Sequence, residues 1–295
     1  MTKANYALRF IYGLIFPFVF LLGPAACASS DTSPSSKDWQ MIAVADVVAR
    51  GKLNVSQNAL EALKSSNKNQ YLELGLDDVV SVKGTDMVPP NVIHYYLGGG
   101  PDSPSKNAII DSNGKSVTVF LVYCEDPNAT GFHFVRFSPS AVRPFDEHEF
   151  LAIEQEVAKE KQVAESAQTA ARSPDTWDNQ VRKLLYELTV RQTQESAWKQ
   201  LLKMPEESIP ALIRAMSDSR KLADPWVVVP TNGSSFEALA HYSPKTVLEA
   251  VSILLNNKVN GGLRPITSWD TEKEKHTILN AWRVWAYYNC ADSTK

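Results

Sequence analysis

The densest run of metal-ligating side chain types in the sequence is Asp146-Glu147-His148-Glu149. Such a run holds a cation only if its groups converge, and on a helix only Asp146 and Glu149 share a face. It therefore reads as a solvated first helical turn, with acids placed against the positive end of the helix dipole. A zinc-type centre would need ligands from elsewhere, and His94, His133, His241 and His276 are too scattered to nominate one. Gly98-Gly99-Gly100-Pro101 comes nearest to a phosphate cradle. It lacks the following Gly-Lys-Ser/Thr of a P-loop and reads as a loop after a strand. The sequence has no nucleophile elbow, dinucleotide fingerprint, paired-histidine zinc motif or calcium loop. No metal and no cofactor are expected. A Ser-His-Asp triad assembles in space rather than in sequence, so a hydrolase-type site between two halves of the chain stays open as the alternative.

Cysteines and aromatics offer other chemistry. Cys124 and Cys290 have no C-x-x-C partner, which leaves redox catalysis without support. A disulfide between them and a pair of thiols are both open readings, because sequence separation does not fix the Cα distance. Trp269, Trp282, Trp285, Tyr287 and Tyr288 crowd the C-terminus. Trp282 and Trp285 lie three apart on one helix face. They either close a helical stack with large side chains or form a partly exposed patch for a protein or glycan partner. Pro225-Trp226-Val227-Val228-Val229-Pro230 interrupts the helical pattern with an extended segment, either an edge open to a partner strand or a buried connector. Trp226, Trp269, Trp282 and Trp285 are thus the candidate partner-binding residues.

Composition limits where such sites can sit. Of 295 residues, 44% are hydrophobic and 21% charged, ordinary values for a globular protein. Formal net charge is −3, and the first 28 residues hold Lys3 and Arg9 but no acid, so the remainder is more acidic than the whole. That balance gives no general attraction to nucleic acid. A basic start, an apolar run over residues 10–22 and the small residues Gly23-Pro24-Ala25-Ala26-Cys27-Ala28 predict a secretory signal peptide over residues 1–28. Ala26-Cys27-Ala28 fits cleavage before Ser29. Pro24-Ala25-Ala26-Cys27 is similar to a lipobox in which Cys27 is lipidated, although Pro24 stands where a Leu-type residue is usual. An uncleaved anchor, interrupted by Pro17, is the third reading. Residues 29–38 read as a Ser-rich linker. The expected location is export to the periplasm, anchored through Cys27, or secretion. Contact with the membrane comes only through a lipid on Cys27 or an uncleaved signal.

Beyond the linker the hydrophobic period changes once. Residues 39–144 read as a β-rich, barrel-like domain, with strands at 44–53, 70–82, 91–97, 117–124 and 131–137 and a short helix over 56–64 with Ser56 as N-cap. In Gln70 to Leu76, Tyr71, Glu73 and Gly75 alternate with Leu72, Leu74 and Leu76, the pattern of a strand with one buried face. Residues 145–295 read as helical, with segments at 146–171, 175–191, 193–203, 206–216, 244–256 and 271–288. The predicted class is α+β, a small antiparallel β-barrel or sandwich followed by an α-helical hairpin stack.

Two resemblances sharpen this. The succession Ala45-Asp46-Val47-Val48-Ala49-Arg50-Gly51-Lys52-Leu53, then Val80-Ser81-Val82-Lys83-Gly84, then Gly114-Lys115-Ser116-Val117-Thr118-Val119-Phe120-Leu121 resembles the OB-like barrel of the tissue-inhibitor and netrin type. That family's disulfide pattern is not visible. The resemblance implies a barrel that binds rather than catalyses. Ser208 to Met216, followed by Asp218-Ser219-Arg220, resembles a HEAT-type repeat, and Pro244 to Ala250 could open the next unit. Stacked repeats commonly present a binding surface. Together these features favour a non-catalytic, envelope-associated adaptor with a protein partner over an enzyme.

Overall fold

The computed structural model describes residues 38–65, 70–87, 91–97, 104–124, 129–135, 139–169, 176–230, 239–259, 263–268 and 270–290. The leader, Cys27, the Gly98–Pro101 run and Trp269 lie outside these residues.

The chain enters through helix α1 (Asp38–Val44) and builds a barrel from β1 (Val47–Asn54), β2 (Tyr71–Lys83), β3 (Val92–Tyr96), β4 (Ser116–Cys124) and β5 (Gly131–Phe134). Helix α2 (Gln57–Ser65) fills the β1–β2 connection, and α3 (Lys106–Ser112) precedes β4. Strand pairing runs β1-β2-β3-β5-β4, and β4 pairs back to β1, which closes the sheet on itself. Closure removes every open edge among these five strands. All pairs are antiparallel except β3 with β5, where Ile93 lies beside Phe132 and His94 beside His133 in parallel register. The short β6 (Val142–Pro144) extends the β4 edge beyond β5. This order fits an OB-like barrel with a helix between its third and fourth strands.

Local chemistry explains where the elements begin. Ser56 Oγ accepts from Ala59 N at 3.2 Å, so the expected N-cap of α2 is in place. Ser105 does the same for α3 through Ala108 N at 3.0 Å. Strand β1 starts three residues later than its Val-rich sequence suggests. Val44 ends α1, and Asp46 turns the chain by accepting from Tyr123 N at 2.9 Å. Along β4, Val117 to Leu121 are all buried, the burial of a strand covered on both faces.

Several helices follow: α4 (Glu147–Thr169), α5 (Thr176–Glu187), α6 (Gln194–Lys203), α7 (Ile209–Arg214) flanked by single 3₁₀ turns, α8 (Val247–Lys258) and α9 (Glu272–Cys290). Asp146 Oδ1 caps α4 by accepting from Glu149 N at 2.8 Å. At α9, Thr271 and Glu274 form a reciprocal capping box, with Thr271 N donating to Glu274 Oε2 at 2.7 Å and Glu274 N to Thr271 Oγ1 at 3.2 Å. A hairpin of β7 (Val227–Pro230) and β8 (Leu239–Tyr242) interrupts the helices.

Two hydrophobic cores result. One fills the barrel around Leu74, Leu76, Ile93 and Phe120. The other lies among the helices around Leu188, Leu201, Leu254 and Trp282. Helix α1 feeds both, sending Met41 and Ile42 into the barrel core and Trp39 and Ala43 into the helical one. Helix α4 also straddles them, with Ile153 and Val157 on the barrel side and Val163 on the helical side.

Candidate functional site

The pleat of β2, β3 and β5 sorts their side chains cleanly. Leu74, Ile93, Tyr95 and Phe134 point into the barrel core. The alternate residues Tyr71 and Glu73 on β2, His94 and Tyr96 on β3 and His133 on β5 share the outer face. Register brings them together: Tyr71 stands opposite Tyr96, Glu73 opposite His94, and His94 beside His133.

The four rings form a continuous row. Tyr96 and Tyr71 have centroids 5.0 Å apart, Tyr71 meets His133 edge-on at 5.4 Å, and His133 meets His94 at 5.2 Å. These are the offset and edge-to-face spacings that aromatic quadrupoles prefer. His133 is covered at 5% exposure, Tyr71, His94 and Tyr96 are half-buried, and Glu73 is exposed.

Each imidazole is held by the chain just ahead of β5. His133 Nε2 lies 2.7 Å from the Ala129 carbonyl oxygen and His94 Nε2 lies 3.2 Å from that of Thr130. A carbonyl only accepts, so both Nε2 atoms carry a hydrogen and donate it. Gly131 makes this possible. It has φ of +146°, and a Cβ there would come within 3.0 Å of His94 Nε2. The result is a pre-ordered row of flat, amphipathic rings that loses little side-chain freedom when covered. Among the described residues no group of three His, Cys, Asp or Glu side chains is placed to hold a metal ion.

The residues singled out from sequence are distributed differently. Trp226 is 53% exposed just ahead of β7. The extended segment after it is engaged inside the chain, paired to β8 on one edge and receiving a bond from Trp198 Nε1 at the Val228 carbonyl, 2.8 Å away. Gln194 pins the start of this stretch, exchanging two hydrogen bonds with the Asp224 backbone. Trp282 and Trp285 face inward, 0% and 9% exposed, with centroids 5.9 Å apart. Both lie in the helical core. Cys124 ends β4 and Cys290 ends α9, each half-buried. Burial pushes the Cys290 thiol up, against a smaller opposing pull from Arg214. In the acidic run at 146–149, Asp146 caps α4 and Glu149 pairs with Arg143 at 2.9 Å, both structural tasks.

The ring row is hidden from sequence because its members come from three strands. His94 and His133, scattered in sequence, are neighbours in the barrel. The usable signal is the alternation of Tyr71 with Glu73 and of His94 with Tyr96, which marks outward positions but not their register.

A groove of about 270 Å³ lies between α3, β4 and β6, lined by Asp111, Ser112, Lys115, Ser116 and Val142 among others. Its lining includes no histidine or cysteine. The fold and site together define a closed five-stranded barrel followed by a helical bundle, with an aromatic-histidine row on the barrel's outer face. No family model matches the chain, and no characterised protein or solved structure matches it either.

Proposed function

We propose that this chain is an exported, non-catalytic binding protein of the cell envelope, and that its barrel holds a protein partner on the outer face of β2, β3 and β5. The observation that carries the reading is the row Tyr96, Tyr71, His133 and His94, four rings ordered by register, backbone carbonyls and Gly131. In OB-like barrels the face of the second and third strands is the one that meets ligands. Tyr-rich surface is typical of binding hot spots, because such rings bury much area at little entropic cost. The acidic balance of the chain argues against nucleic acid as the partner. Resemblance to the netrin-type barrel and to HEAT repeats points the same way. In this reading residues 1–28 direct export, Cys27 is lipidated or removed with the leader, and 39–144 and 145–295 act as binding and helical domains.

The test is cross-linking in cells with C-terminally tagged full-length protein, followed by mass spectrometry of the captured material and of the mature N-terminus. The expected result is one exported protein captured in stoichiometric amount. Labelling of a serine by an activity-based hydrolase probe, or a stoichiometric metal in the purified protein, would replace this reading with the enzymatic one.

A further inference from the structure

The two cores meet across α1 and α4, and a buried charge cluster sits in that seam. Lys83, the last residue of β2, has its ammonium end enclosed, where it donates to the carbonyls of Ile42 at 2.5 Å and Ala43 at 3.2 Å in the last turn of α1. Those carbonyls lie in the last turn of a helix, where a cation is favoured; that of Ile42 also accepts from Ala45 N at 3.3 Å. Glu160 of α4 is 5% exposed, and its Oε1 is buried without a hydrogen-bond partner.

Further charged or titratable groups come from the turn before β1, from α4 and from α9. Asp46, from the turn before β1, accepts from Tyr123 N and from Thr277 Oγ1 of α9. Tyr288 of α9 donates its hydroxyl to Glu156 of α4. Lys159, also on α4, lies over the rings of Tyr287 and Tyr288 at 5.3 and 4.6 Å. Packing here is close: Gly84, with φ of +71°, would place a Cβ 2.4 Å from the Asp46 carbonyl oxygen.

A carboxylate with an unpartnered buried oxygen is costly, and a proton removes the charge. We propose that Glu160 and Lys83 form a proton-gated latch between the barrel and the helical half, closed while Glu160 is protonated and loosened at α4 when that proton is lost. Burial pushes the Glu160 carboxyl up to about 8, outweighing the attraction of Lys83. The closed form therefore holds one more proton than the opened form between the ordinary 4.5 and about 8. Closure is strongest below that window, weakens as pH rises through it and levels off above it. Each pH unit inside the window changes the open-to-closed ratio by up to about tenfold. Burial holds Lys83 below its ordinary value, and this acts in the opposite sense, favouring closure as pH rises towards 10.5. Opening would uncover Ile153 and Val157, which pack against the barrel core. This inference does not depend on the partner reading of the ring row.

The test is amide hydrogen exchange of the full-length protein at pH 5, 6.5 and 8, corrected for the intrinsic exchange rate, with α8 as internal reference. Glu160→Gln is the matching variant, a neutral isostere of the protonated acid that leaves Lys83 in place. The expected result is wild-type protection of α4 around Ile153 and Val157 that falls relative to α8 as pH rises. In Glu160→Gln that protection stays high and flat. Equal pH dependence in both proteins, or none in the wild type, overturns the latch. A carbon-13 titration of the Glu160 carboxyl in the wild type is a second measurement that needs no variant. A midpoint near 8 supports the proposal and one near 4.5 overturns it.

Discussion

Two aromatic clusters in this molecule differ in how the chain gathers them and in where it turns them. The C-terminal cluster draws Trp282 and Trp285 from one helix, three residues apart, and α9 turns both into the helical core. The barrel cluster draws Tyr71, His94, Tyr96 and His133 from three strands, and the sheet turns them outward. Proximity in sequence makes the first conspicuous, but helical spacing of large apolar residues is foremost a packing signal. The second cluster exists only once β3 and β5 lie parallel and adjacent. Rings gathered by a sheet from distant positions are the better guide to a surface, because neither helix periodicity nor burial of a single segment accounts for them.

The contrast can be broken at either end. The largest effect is expected from Trp282→Ala, which empties a fully buried site and should cost about 3–5 kcal/mol, read as a fall in the urea midpoint. A loss under about 1 kcal/mol would return Trp282 to the surface and undo the contrast. Gly131→Ala should cost about 1–3 kcal/mol, since it adds backbone strain at φ +146° and drives a Cβ towards His94 Nε2. Its signature is local: the imidazole proton resonance of His94 shifts while those from the helical core do not. An unchanged His94 signal would mean that Gly131 does not set the ring row. Thr271→Ala removes half of a capping box and should cost about 1 kcal/mol in thermal denaturation. The smallest change is expected from Trp226→Ala, within about 0.5 kcal/mol of wild type in the same experiment, as for an exposed position. A loss on the scale of Trp282 would mean that Trp226 is a third structural ring.

Much of the fold is legible in the sequence because its signals are local. The strands over 70–82, 91–97 and 117–124 announce themselves by β-branched and aromatic residues between turn residues, and they stand within a residue or two of where the alternation puts them. Asp146 and Ser56 mark helix starts through short-range hydrogen bonds that their residue types and positions anticipate. Helices α1 and α3 are not legible. Asp38 to Val44 is uniformly apolar after its first residues, because its two faces serve two different cores and no polar stripe remains. Lys106 to Ser112 is too short for its period to register. The parallel pairing of β3 with β5 is a property of chain closure, beyond the reach of local pattern, and the ring row depends on it. Glu160 is equally hidden: in sequence it is one acid among many on a long polar helix, and only tertiary packing buries it.

If the barrel's ring row, rather than any tryptophan, is the surface that meets a partner, its tyrosines must control capture. The most direct measurement compares capture by in-cell cross-linking for wild type, the double variant Tyr71→Ala/Tyr96→Ala and Trp226→Ala, with folding of each checked by its thermal midpoint. The predicted result is a partner held by wild type and Trp226→Ala and lost, by about 30-fold or more in affinity, from the folded double variant. Full capture by the folded double variant would contradict it.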